Sequence, residues 1–260
     1  MNKKQTIHEM ARIRYLITFC ILIGLGNTYC HEKHYNSNSK VHNSSKDSTK
    51  YRSDSTYKKG LEMLDKGYIK EAYSLMKKAA LMNNADALSN LGCILIKGDG
   101  PFDKDTIQGL SYLLLADSLH NSNAETCLAY YFYDHNSVVK CIHFLYRSKK
   151  NGSIDAEIDL GNLLITGDMY FNGRTEPPLY PPNSDVKQGI ILLKDAANSK
   201  NPDANYLLGT FYYNGIKGYI DPDHLKAKMM LVKAYDYADG TLKDDIDNFL
   251  LSNYGKDWKK

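Results

Sequence analysis

The stretch DANYLLGTFYYNG, Asp203–Gly215, returns in altered form three times: DALSNLGCILIKG from Asp86, NAETCLAYYFYDH from Asn123 and DAEIDLGNLLITG from Asp155. Each block has Ala second, Leu sixth and a small residue, Gly or Ala, seventh. Agreement at three fixed places in four blocks marks an internal repeat, which settles the fold before any other reading is tried. Ala and Leu stand four apart on one helical face, with the small residue beside them. A Gly inside a helix costs about 1 kcal/mol relative to Ala. Its recurrence at Gly92, Gly161 and Gly209 therefore calls for a compensating gain, and close approach of a second helix supplies one.

The second helix leaves its own trace. Small residues recur seven apart at Ala72 and Ala79, Gly109 and Ala116, Cys141 and Ser148, Gly189 and Ala196, and Ala227 and Ala234. Seven residues are two helical turns, so each pair lies on one face against a neighbour. Cys141 thus stands where other repeats have Ala or Gly, and reads as a small buried hydrophobe instead of a reactive thiol. The block alanines Ala87, Ala124, Ala156 and Ala204 are unevenly spaced, and the variation lies between the helices of each pair. Paired helices of constant length with elastic loops on one edge describe an α-solenoid.

Ala, then Leu-Gly, a closing Gly, a polar loop, Lys-Ala and a final Ala-Ala resemble the Sel1-like repeat, a relative of the tetratricopeptide repeat. The best carriers are DANYLLGTFYYNG with LKAKMMLVKA, and DALSNLGCILIKGDG with GLSYLLLA. YKKGLEMLDKGYIKEAYSLMKKAALMNN, Tyr57–Asn84, resembles a plain tetratricopeptide unit. The block at Asn123 departs from the pattern, with Ala129 for Gly and no closing Gly, and the Asp155 unit carries a long insertion. The resemblance implies an all-α fold, a right-handed α-α superhelix of about five helix pairs, with 57–84 as a tetratricopeptide-like pair and 85–241 as Sel1-like repeats. Residues 242–260 resemble a half-repeat and are expected to form a C-terminal cap, with Leu242, Ile246, Phe249 and Leu250 on one face.

Ahead of the repeats, Tyr15–Gly26 (YLITFCILIGLG) is a short apolar run preceded by Lys3, Lys4, Arg12 and Arg14. A bilayer-spanning helix needs about 20 apolar residues, whereas a signal-peptide core is shorter. Residues 1–30 are thus expected to be a cleaved export signal, a lipoprotein signal ending at Cys30, or a retained anchor; Tyr29 departs from the small residue that normally precedes a lipidated Cys. Residues 31–56, rich in Asn, Ser, Lys and His, have too few aliphatics to offset chain entropy and are expected to be a disordered tether. On these features the protein is expected in the periplasm or cell envelope, with membrane contact only through the N-terminal segment. Of the five cysteines, one pairing that an oxidising compartment allows is Cys127 with Cys141, although the odd count sets no framework.

A formal charge of +3 over 260 residues is too mild to argue for nucleic acid. The sequence has no Gly-rich phosphate loop, Gly-x-Ser-x-Gly elbow or Cys-x-x-Cys pair, and HEKH at 31–34 lacks zinc-protease spacing. No catalytic constellation, metal site or cofactor is expected. The resemblance implies a concave wall formed by the first helix of each pair, at three before, one after and five after the small residue. These positions are Ser89, Cys93 and Lys97; Thr126, Tyr130 and Asp134; Ile158, Asn162 and Thr166; Tyr206, Thr210 and Asn214. Tyr130 and Tyr206 stand out, because Tyr offers a large contact area for few rotamers. The insertion Asp168–Asp185 carries four prolines that favour an extended segment presenting Leu179 and Tyr180. The implied function is an exported adaptor that binds another protein; the alternative is an immunity protein that neutralises a secreted effector such as a phospholipase.

Overall fold

A computed structural model describes residues 43–98, 103–170, 184–256 and 258. Among the described residues the chain is all-helical, with α1 (Asn43–Asp65), α2 (Ile69–Ala80), α3 (Ala85–Lys97), α4 (Thr106–Ser118), α5 (Ser122–Asp134) and α6 (Val138–Lys150). These are followed by α7 (Ile154–Thr166), α8 (Val186–Asn198), α9 (Pro202–Asn214), α10 (His224–Tyr237) and α11 (Gly240–Tyr254). They form five consecutive pairs and a final single helix. Contacts divide the chain into two compact units, Met1–Tyr131 and Phe132–Lys260, so that the division falls within α5. In the first unit α1 packs on α2, α2 on α3 and α3 on α4; in the second each helix from α6 to α11 packs on the next.

In the four pairs from α3 onward, the first helix of the pair (helix A) starts the same way. The side chains of Asn84, Asn121, Ser153 and Asn201 accept from the backbone N–H groups of Ala87, Ala124, Ala156 and Ala204. Such a cap satisfies one of the helix's orphan donors and contributes about 1 kcal/mol. The residue before each cap, Asn83, His120, Gly152 or Lys200, has a positive φ. Each left-handed residue reverses the chain at one place, so the turn into helix A is constant. In three pairs the second helix (helix B) is capped by an Asp: Asp105, Asp185 and Asp223 accept from the N–H groups of Gln108, Gln188 and Lys226.

The variable loop from A to B is closed by a fixed bond. Asp105 N–H donates to Leu95 O at 2.9 Å, Asp185 N–H to Leu164 O at 3.3 Å, and Asp223 N–H to Tyr212 O at 2.7 Å. Leu95, Leu164 and Tyr212 all lie three residues past the seam glycine of their helix. The long insertion therefore leaves and rejoins the same framework as the short loops.

The seams are as tight as the repeated glycines suggest. A Cβ at Gly92 would lie 2.7 Å from Leu113 Cγ, one at Gly161 3.0 Å from Leu193 Cγ, and one at Gly209 2.7 Å from Leu231 Cγ. In each case the Leu is four residues past the first small residue of helix B. All five pairs of small B-helix residues are buried. In the second unit, one core cluster joins Ile158, Leu193, Leu207, Leu208 and Tyr212. A second holds Leu231, Ala234, Ile246, Leu250 and Trp258, with Leu242 and Phe249 packed against it, as expected of the C-terminal cap.

One expected boundary needs correction. Residues 43–56, assigned to a disordered tether, belong to α1. Aliphatic side chains do not hold this extension. Asn84 Nδ2 donates to Asp54 Oδ1 at 2.8 Å, Asn90 Nδ2 to Tyr57 OH at 2.6 Å, and Ser53 is buried. No Gly or Pro interrupts the sequence from 43 to 59, so the helix continues past its apolar face. The remaining expectations at the N-terminus, including the signal at 1–30, Cys30, and the tether at 31–42, lie outside the described residues.

Candidate partner-binding surface

Part of the predicted partner face is spent on packing. Ser89, Cys93, Thr126, Ile158 and Asn162 are buried, which removes them from a surface that a partner can reach. Lys97, Asp134 and Asn214 are exposed, and Tyr130, Thr166, Tyr206 and Thr210 are half-buried. Leu179 and Tyr180 lie outside the described residues.

The reason for this burial is sideways packing of one A helix on the next. In the first unit Cys93 of α3 is disulfide-bonded to Cys127 of α5, with Cα atoms 6.2 Å apart. Cys93 follows its small residue by one position and Cys127 precedes its own by two, so these two registers face each other between successive A helices. Asn121 Nδ2 donates to Asp86 Oδ1 at 2.7 Å across the same pair. The Cys127–Cys141 pairing that the sequence left open is therefore not formed. Cys141 is a buried free thiol in α6, with its Sγ 3.5 Å from Met169 Sδ. Burial, then Asp159 and Asp134, pushes that thiol up to about 12, which keeps it protonated and unreactive.

In the second unit Ile158 joins the core cluster. Asn162 and Thr166 hold the root of the insertion: Asn162 Nδ2 donates to Asp168 O at 2.9 Å, and Thr166 Oγ1 accepts from Asp168 N–H at 3.1 Å. Met169, next in the chain, is buried. Tyr206 packs against the C-terminal cluster, so its ring serves the core as well as the surface.

A cluster that the sequence does not announce surrounds Tyr206. Tyr170, at the start of the insertion, hydrogen-bonds Asp203, the first acid of α9. Asp155, the corresponding acid of α7, is raised to about 6 by burial and then by the charge of Asp203. Asp203 is itself raised by burial, against the lowering effect of the Tyr170 hydrogen bond. Burial, then Asp245, raises the Tyr206 phenol. Two desolvated carboxylates and two half-buried tyrosines thus share the N-terminal edge of the A helices, and among the described residues no basic side chain offsets either carboxylate. The only hint in the sequence is that Asp opens the block at both Asp155 and Asp203.

Tyrosine abundance has a structural use nearby. Tyr213 OH hydrogen-bonds Asn253 Oδ1 at 2.7 Å, and its ring meets His224 and Phe249 edge-on at 4.7 Å and 5.1 Å. Tyr254 OH donates to His224 O at 2.9 Å. These contacts fasten α11 to the last pair.

The chain is similar in structure to a Sel1 repeat protein from Oxalobacter formigenes, with a TM-score of 0.60 and 24% identity over 79% of each chain. It is also similar to a protective antigen of uropathogenic Escherichia coli with an SLR fold, with a TM-score of 0.60 and 19% identity over 80% of this chain and 43% of that one. At these identities the likeness shows the fold. No curated protein matches. The Sel1 repeat model matches residues 56–84, 85–116, 154–201 and 202–236, more than half of the sequence. It includes 56–84, which resembled a plain tetratricopeptide unit, and passes over the divergent block at Asn123, which nonetheless folds as α5 and α6. The chain belongs to the Sel1 repeat family.

Proposed function

We propose that this protein is an exported scaffold that binds another protein at the A-helix edge of its second unit, with Tyr206, Tyr170, Asp203 and Asp155 at the contact, and that it does no chemistry itself. The observation that carries this reading is the pair Asp155 and Asp203, which no basic side chain among the described residues offsets, beside two half-buried tyrosines. A partner that inserts a Lys or Arg there would neutralise two neighbouring desolvated carboxylates, while the tyrosines supply contact area. Helices packed by constant seams and closed by elastic loops leave such edges free to differ between relatives. Export is supported by the basic and apolar run ending at Gly26 and by the Cys93–Cys127 disulfide, since such bonds persist in oxidising compartments.

The test is crosslinking and capture from envelope extracts, with mass spectrometry, using the wild type and the D155N/D203N variant. The wild type is expected to retain a partner that the variant loses. Equal capture by both would remove this edge from the contact, and no partner at all would overturn the scaffold reading.

A further inference from the structure

Lys226, Met230, Lys233 and Tyr237 follow one another on α10 at steps of four, three and four residues, which is one stripe along a helix. The stripe forms a wall of a groove of about 430 Å³, whose opposite wall carries Lys194 of α8 and Lys200 of the turn after it. Leu208 and Tyr212 of α9 form part of the floor. At about 100° per residue, this face of α9 lies opposite the one that carries Tyr206, Thr210 and Asn214. The groove is therefore distinct from the tyrosine and aspartate edge.

Four ammonium groups border this groove, and none of them forms an ion pair with another described residue. The rings hold two of them in place: Lys226 Nζ stands 4.1 Å from the Tyr212 ring centroid, and Lys200 Nζ 5.8 Å from that of Tyr237. Asp195 and Asp236, on the same helices, do not line the groove. Like charges around a partly apolar slot raise one another's energy, and carboxylates entering the slot would relieve that repulsion.

We propose that this groove binds an acidic peptide segment of a partner protein. Seven helical residues separate Lys226 from Lys233, about 10 Å at 1.5 Å per residue. In a polyproline II peptide, with three residues per turn and a rise of about 3.1 Å per residue, carboxylates three residues apart lie on one side and match that distance. Met230 between the two lysines offers apolar contact to the intervening side chain. A groove of this size suits one extended polyproline II chain, whereas a nucleic acid or bilayer calls for a broad basic field, which a net charge of +3 does not provide. The inference takes from the scaffold reading only that the ligand is a protein, and it adds a second contact on the other side of α9.

Fluorescence polarisation with the full chain tests it, using a labelled peptide with Glu at every third position and its Gln counterpart. The Glu peptide is expected to bind at least tenfold more tightly than the Gln peptide. K226Q/K233Q should weaken it at least tenfold, and K226R/K233R should restore it. Should K226Q/K233Q fail to fold, K194Q/K200Q on the exposed opposite wall gives the same comparison. Unchanged binding by the glutamine variants, or equal binding of the two peptides, overturns the proposal. Displacement of the Glu peptide by inorganic phosphate at equal charge concentration, or by phosphatidylglycerol vesicles, also overturns it, because the groove would then be a general anion or membrane site. Partner capture from extracts that survives K226Q/K233Q but fails in D155N/D203N would leave the scaffold intact and the groove refuted. Peptide binding without any captured partner would refute the scaffold reading alone.

Discussion

Gly92 and Gly109 guard each other's space: a Cβ built on either would lie 2.9 Å from the other's carbonyl oxygen. Gly161 and Gly189 repeat the relationship at 3.1 Å and 2.7 Å. In both cases the backbone of one helix fills the volume a side chain would need on the other. A Gly92→Ala change gains about 1 kcal/mol of helix propensity but forces the two backbones apart, which typically costs 1–3 kcal/mol or more. Because Leu113 also lies 2.7 Å away, the overlap wins. Urea unfolding should show a net loss of about 1–2 kcal/mol for G92A. An unchanged or raised midpoint would mean that the seam is looser than described.

The Cys93–Cys127 bond closes a loop across a sequence separation of 34. By loop-closure entropy such a crosslink contributes about 4 kcal/mol, with native strain or residual unfolded structure lowering the figure. C93S/C127S is expected to melt well below the wild type, and dithiothreitol should lower the wild type toward the variant. Peptide mapping without reduction should join Cys93 to Cys127 and leave Cys141 as a thiol. A Cys127–Cys141 linkage would contradict the assignment.

The raised carboxylates predict a pH dependence opposite to that of a salt-bridged acid. Asp155 has a folded value of about 6, above its ordinary 3.8. Between those values the folded state binds a proton that the unfolded state lacks, so stability rises as pH falls through about 6 and is lowest above it. Asp203, raised in the same direction, reinforces the trend. Thermal melts should therefore move upward from pH 7.5 to pH 5. D155N should raise the melting temperature at pH 7.5, by the equivalent of on the order of 1 kcal/mol after allowance for solvent screening, and flatten the profile. A wild type that loses stability steadily on acidification over this range would refute the cluster.

Much of this fold is legible in four short blocks because packing repeats: Ala87, Leu91 and Gly92 meet the same kind of neighbours as Ala204, Leu208 and Gly209. The surface is less legible because the register of one A helix against the next is not written in either. Ser89 and Ile158 have side chains of different polarity, yet both are buried, since position, and not chemistry, decides it. The partner of Cys93 could have been found by noting that its register faces that of Cys127. The extension of α1 was hidden for another reason: polar anchors at Ser53 and Asp54 leave no hydrophobic periodicity.

Tyr206 tests that distinction directly. Its ring packs against the cluster of Leu231, Ile246 and Leu250, so Y206A removes buried contacts and should cost about 2 kcal/mol. Y206F keeps the ring and should melt close to the wild type. If Y206A melts normally while partner capture falls, the ring belongs to the contact surface alone.

The insertion in the Asp155 unit is fastened at both ends by bonds that belong to the repeat. Asn162 Nδ2 holds Asp168 O at one end, while Ser184 Oγ and Asp185 N–H donate to Leu164 O at the other. The other pairs close the same backbone bond with far fewer intervening residues, as Asp105 does on Leu95 and Asp223 on Tyr212. Loop-closure entropy changes slowly with length, by about 0.6 kcal/mol per doubling. Removing residues 174–183 should therefore leave the melting temperature within a few degrees, since Met169 and both anchors remain. If partner capture then falls, Leu179 and Tyr180 lie in the segment responsible, and L179A and Y180A separately should divide the loss. A large drop in stability on deletion would instead show that the removed residues pack on the fold.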